Sequence, residues 1–149
     1  MVRFLSAVAA AALIATSASA PASAADDAPV TIESYYRIKW GSADEFKALY
    51  NRNHRPLLLE MQKQGLIKSM RTDVPFTHMA GGPRWDLRVT ITYRDAASAV
   101  VIEGAFDKAW QAAEKRLYPD SEALKAAEAQ RFSLLEEHWD VIVMESTAQ

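Results

Sequence analysis

Thr31-Ile32-Glu33-Ser34-Tyr35-Tyr36-Arg37-Ile38-Lys39-Trp40-Gly41 is the stretch from which the fold is read. Ile32, Ser34, Tyr36, Ile38 and Trp40 share one side at period two. Thr31, Glu33, Tyr35, Arg37 and Lys39 share the other, which is the alternation of a half-buried strand. Gly41 breaks it. Ser42 then caps a helix, with Glu45 as its capping-box partner. Phe46, Leu49, Tyr50, Asn53, Leu57, Met61 and Gln64 follow at helical spacing, up to a C-terminal cap at Gly65. Pro56 sits inside this helix without an N–H for the carbonyl four residues back, so a kink is expected near Arg52.

Leu66 to Val74 reads as a second strand. Pro75 to Arg84 is a loop carrying Gly81, Gly82 and Pro83. In the third strand, Trp85 to Arg94, Trp85, Leu87, Val89, Ile91 and Tyr93 alternate against Asp86, Arg88, Thr90, Thr92 and Arg94. Asp95 caps a helix with the stripe Ala99, Ile102, Phe106, Ala109, Trp110, Ala113 and Leu117. Tyr118-Pro119 stops it, and a further helix runs from Asp120 or Ser121 to about Glu137. The last strand is His138 to Glu145, with Trp139, Val141 and Val143 expected to face the helices and His138, Asp140, Ile142 and Met144 to face away. The tail Ser146 to Gln149 reads as frayed.

This order predicts an α+β, ferredoxin-like β-α-β-β-α-β sandwich: a four-stranded antiparallel sheet with helices on one face. The far face would mix Glu33, Arg37, Arg71, Asp86, Arg88 and Asp140 with Tyr35, Ile142 and Met144. Either it is solvated, or it meets a second copy with charges paired across the join.

The chain has 149 residues, 50% of them hydrophobic, with 17 basic and 19 acidic side chains. That composition is globular, the length suits one domain, and the lack of basic excess argues against a nucleic-acid partner. With no cysteine, disulfides, thiol nucleophiles and thiolate metal sites are excluded. Met1 to Ala25 has the three parts of a secretory signal peptide: a basic start at Arg3, an apolar run from Phe4 to Ile14, and small residues from Thr16. The apolar run is about half of the roughly 20 residues a membrane span takes. Cleavage after Ala24 is favoured, since the rival site would leave Pro21 directly after the cut. Residues 1–24 are thus expected to be the signal and 25–149 a single domain. The mature protein is expected to be periplasmic or secreted, with no membrane span.

Three histidines carry the candidate chemistry: His54, His78 and His138. They lack the tight local spacing of a zinc pair, so no metal and no cofactor is expected. The topology puts His78 and His138 at the sheet end near Trp40. His54 lies roughly 16 Å along the first helix and needs the kink to bring it closer. Asn53 falls within the apolar stripe. A buried amide there either satisfies carbonyls freed by Pro56 or lines a pocket beside His54. Tyr36, Trp40, Tyr50, Trp85, Phe106, Trp110 and Trp139 are all expected on the helix side, as a plain aromatic core or as the walls of a site for a planar organic ligand. The expected ligand-binding set is therefore Asn53, Tyr36, Trp40, Tyr50, Trp85 and Trp110, with His54 and His78 as candidate catalytic bases. The Gly81-Gly82-Pro83 loop precedes no helix and is not a phosphate loop. No G-x-S-x-G elbow is present.

Tyr35-Tyr36-Arg37-Ile38-Lys39-Trp40-Gly41, followed by Asp44-Glu45-Phe46, resembles the strand, glycine and helix opening of the dimeric α/β-barrel superfamily. The strand Trp85 to Tyr93 with Arg94-Asp95 and a helix is similar too. NIPSNAP-like and antibiotic-biosynthesis-monooxygenase-like domains belong to that group. The resemblance implies a homodimer and leaves three activities open. One is a small-molecule-binding protein of the envelope. Another is a cofactor-independent oxygenase or isomerase acting on an aromatic or polyketide-like substrate. The third is a non-catalytic interaction module.

Overall fold

The computed structural model describes residues 28–144. The expected signal segment, Glu145 of the expected last strand and the tail lie outside the described residues. β1 (Val30–Ile38) leads to α1 (Ala43–Leu49), a π-helical turn (Tyr50–His54) and α2 (Arg55–Lys63). Then come β2 (Ile67–Asp73), β3 (Leu87–Tyr93), α3 (Ala96–Val100), α4 (Ala105–Leu117), α5 (Ser121–Ser133) and β4 (Leu135–Val143). The sheet has the order β2-β3-β1-β4 with every neighbouring pair antiparallel. This is the expected ferredoxin-like α+β fold. Tyr36 and Ile38 of β1, Leu87, Val89 and Ile91 of β3 and Ile67 of β2 form one core with Phe46, Leu57, Leu58 and Met61. Gly65, at φ +72°, closes α2 as expected, and Leu66 N–H donates to the Met61 carbonyl across the turn at 3.0 Å.

The kink takes the form of a π turn. Arg55 N–H donates to the Tyr50 carbonyl, five residues back. The Arg52 carbonyl, which Pro56 cannot serve, accepts the Tyr118 hydroxyl at 2.7 Å. Ser42 makes no side-chain cap bond, and Glu45 does not reach back to it. The Glu45 carboxylate instead accepts from Gln130 of α5 at 2.5 Å. Asp95 does cap, accepting from Ser98 N–H at 2.7 Å. The expected single helix after it is broken, however. Val100, Val101 and Ile102 are three consecutive β-branched residues, which lose rotamer freedom in a helix. Glu103 turns at φ +60°, Gly104 restarts the chain as α4, and Ile102 is exposed.

Three tryptophans depart from the expected phases. β1 ends at Ile38, so Trp40 lies past the strand, is 71% exposed, and stacks under the Arg84 guanidinium at 4.3 Å. Trp85 precedes β3 and packs edge-on against Tyr35, away from the helices. Trp139 is turned outward because β4 carries a bulge: Ile38 faces Leu135 but Arg37 faces Glu137, so Glu136 is an extra residue. One extra residue inverts every later side chain of a strand. His138 therefore lies opposite Tyr36 and Asp140 opposite Ser34 on the helix side, while Trp139 stacks on Tyr35 at 5.2 Å on the open side. Asp140 and Ile142 thus leave the open face where they were expected. Charges on that face pair within the chain: Arg88 with Asp73 at 3.0 Å and Glu33 at 3.6 Å, and Arg37 with Glu137 at 3.0 Å.

Arg84 and Asp86 hold the bulge. Arg84 is 7% exposed; its Nη2 donates to the Ile38 carbonyl and lies 3.0 Å from the Asp86 carboxylate, and its Nη1 lies 3.5 Å from Glu136. Asp86 in turn accepts from Ile38 N–H at 2.8 Å. Arg84→Met removes the three arginine contacts together and should cost about 2–3 kcal/mol in urea denaturation. A loss under about 0.5 kcal/mol, the size of an ordinary surface change, would mean the strand end holds without the clamp.

Candidate functional site

Between the helices and the sheet lies an open cavity of about 430 Å³. Its floor is the β1, β3 and β4 face bearing Ser34, Tyr36, Ile91, Tyr93, His138 and Asp140. Its walls are Tyr50 and His54 from the π turn, Phe106 and Trp110 from α4, and Arg131 and Phe132 from the end of α5. The π turn admits one extra residue in the turn. Asn53 is then buried toward the α4–α5 connection, while His54 faces the cavity. Aromatic rings run round this space in contact. His54 lies 5.4 Å from Trp110 and 5.2 Å from Tyr50, Tyr50 is 6.2 Å from Tyr36, and Tyr36 stacks on His138 at 4.3 Å. Phe106 continues the wall from Trp110 to Tyr93.

Burial controls the protonation states. It pushes His54 down to about 3, with the charges of Arg131 and His138 adding to the effect, so the ring is neutral at physiological pH. It pushes the Tyr36 phenol up to about 12 and raises those of Tyr50 and Tyr93, so all three keep their protons. Tyr50 Oη and His54 Nδ1 are buried without a hydrogen-bond partner among the described residues. His138 Nδ1 lies 2.8 Å from the Tyr35 carbonyl, which can only accept, so this nitrogen carries the proton and Nε2 is left 3.8 Å from Asp140. The arrangement offers planar walls, a phenolic donor, a neutral imidazole and one arginine.

Of the residues expected at a site, Tyr36, Tyr50, His54 and Trp110 meet at this cavity. Asn53 does not: it is 7% exposed and borders a separate groove with Leu117, Tyr118 and Pro119. Tyr118, rather than Asn53, serves the carbonyl freed by Pro56. Trp40, Trp85 and His78 border a different pocket of about 350 Å³ at the sheet end, beside the exposed Phe76. His138 is therefore separated from His78 and grouped with His54, the reverse of the expected pairing. Among the described residues, no group of three or more His, Asp or Glu side chains is placed to hold a metal ion. Sequence reasoning missed Arg131 altogether. Its signal was present, since Leu124, Ala127 and Arg131 recur at helical spacing on the buried stripe of α5.

No protein-family model and no curated protein matches this chain. Solved structures similar to it include a NIPSNAP family protein of Agrobacterium tumefaciens, at 15% identity and TM-score 0.47, covering 81% of this chain and 89% of that one. A conserved protein of Methanosarcina mazei is 15% identical at TM-score 0.49, covering 81% and 96%. A dimeric ferredoxin-like protein of unknown function from Bacteroides fragilis is 11% identical at TM-score 0.43, covering 77% and 94%. The likeness is one of fold.

His54 titrates near 6.5 when unperturbed and near 3 in the fold, so the unfolded chain takes up its proton first as pH falls. The stability this ring contributes is complete above about pH 6.5 and is lost toward pH 3, by at most about 1.4 kcal/mol per pH unit. His54→Phe keeps a ring that cannot titrate. Urea denaturation at pH 7 and at pH 4.5 should show a smaller loss for the variant than for the wild type. Equal losses would mean that His54 protonates within the fold.

Proposed function

We propose that this protein is an exported binding protein for a small planar organic molecule, held in the cavity walled by Tyr36, Tyr50, His54 and Trp110. The observation that carries this reading is the aromatic-walled cavity of about 430 Å³ itself, in whose walls Tyr50 Oη and His54 Nδ1 are buried without a partner among the described residues. Each such group costs roughly 1–3 kcal/mol, and both belong to side chains that wall the cavity. A cavity of about 430 Å³ with aromatic walls and few polar groups has the size and chemistry of a small-molecule site.

Binding is preferred over catalysis because of His54. A general base works best with a pKa near the operating pH, and a ring held near 3 has little tendency to take a proton at neutral pH. It remains a good hydrogen-bond acceptor. Of the two histidines expected as bases, the other, His78, borders another pocket.

Export is supported by the Arg3, Phe4–Ile14 and Ala22-Ser23-Ala24 pattern. Among the described residues, no helix is long and apolar enough to cross a membrane. The proposal includes a homodimer joined through the open sheet face. The Tyr35–Trp139 stack supports it, as do Val141 and Val143, each 42% exposed.

Native mass spectrometry of the protein exported from cells expressing the full chain tests the whole reading. The expected species is a pair of chains starting at Ala25 with a small organic adduct, and Ala99→Phe, which fills the cavity, should lose the adduct. A bare chain with nothing bound in either form would sink the binding reading. For the dimer, Val141→Asp should shift the sedimentation coefficient from a pair to a single chain. A wild type that sediments as one chain at micromolar concentration would remove the dimer.

A further inference from the structure

Among the described residues two arginines are deeply buried, and they are treated differently. Arg84, 7% exposed, has Asp86 and Glu136 beside it. Arg131, 2% exposed, has no carboxylate within 4.0 Å among the described residues, and its Nε is buried without a partner. Its flat face is covered by rings instead: Phe132 at 4.5 Å, and Phe46 and Tyr50 each at 5.9 Å. Ring faces satisfy the charge in part but take up none of the in-plane N–H donors. A buried cation with open donors is costly, and Arg131 lines the cavity where a countercharge could enter.

Two acids line the same cavity, and both are engaged elsewhere. Asp107 accepts from Glu103 N–H at 2.5 Å. Asp140 accepts from Ser34 Oγ at 2.5 Å and faces His138. Building on the binding reading above, we propose that Arg131 is an anion seat and that the cavity's ligand is a planar ring compound bearing a single carboxylate. The guanidinium fork matches a carboxylate in its own plane. Among the described residues one arginine stands beside two acids in this cavity, which suits a monoanion, whereas a phosphate would bring a second charge. The aromatic walls take the ring, and Tyr50 and His54 take a second polar group on it.

The test compares 2-naphthoate with its neutral isostere 2-naphthamide by isothermal titration, on wild type and on Arg131→Met and Arg131→Lys. Wild type should bind the naphthoate at least about tenfold more tightly, as a charged hydrogen bond is expected to give. Arg131→Met should erase that preference, with the naphthoate losing at least about tenfold more affinity than the naphthamide, and Arg131→Lys should keep part of it. If wild type binds both probes equally, the anion seat is wrong and the cavity reading stands. If it binds neither, both fall. The wild-type ratio decides the matter even where Arg131→Met does not fold.

Discussion

Glu136 is one residue too many for an even ladder between β1 and β4, and the rest of the site depends on it. The bulge puts His138 against Tyr36 under the helices and sends Trp139 to stack on Tyr35 outside. Without it the cavity floor would present Glu137 and Trp139 where it now presents His138 and Asp140. The bulge is held from both sides of the chain. Arg84 meets the Ile38 carbonyl and the Glu136 carboxylate, while Asp86 meets the Ile38 N–H. A buried ion pair is a poor source of stability, but it does specify one register over another.

The first helix uses the same device in another geometry. Pro56 withdraws a donor from Arg52, the backbone widens into a π turn, and Tyr118 from the end of α4 closes the freed carbonyl. An α-helix continued through this segment would spread its residues evenly, whereas the widened turn sends Asn53 and His54 to different neighbours. The ring that reaches the cavity is then buried deeply enough to lose its charge. Irregularities of this kind recur at functional sites because they aim side chains that regular periodicity cannot.

That explains which parts of the structure were legible in the sequence. β1, β3, the Gly65 stop and the Asp95 cap follow from local period and turn chemistry, which each segment carries within itself. The aromatic wall was half legible, since Tyr36 and Trp110 lie in regular stretches and Tyr50 only opens the π turn. Trp139 and His138 were assigned to the wrong sides because alternation cannot reveal an inserted residue that only the pairing strand defines. Trp40 was carried too far because nothing local shows that Asp86 ends β1 at Ile38. The break after Val100 had a visible signal in three β-branched residues, outweighed by a stripe that otherwise scans as helix.

Arg131 is the most instructive omission. A charged residue at a buried helical phase reads as an error in the stripe, and the eye passes over it in favour of the apolar residues. The physics runs the other way. Exposed charges cost little and mean little, while a buried one must be compensated. Arg84 shows how this chain compensates a cation whose role is structural, with two carboxylates of its own. Arg131 is wrapped in rings and left with open donors beside a cavity. The same fold supplies countercharge in one place and, among its described residues, withholds it in the other, and the difference falls where a ligand has room to enter.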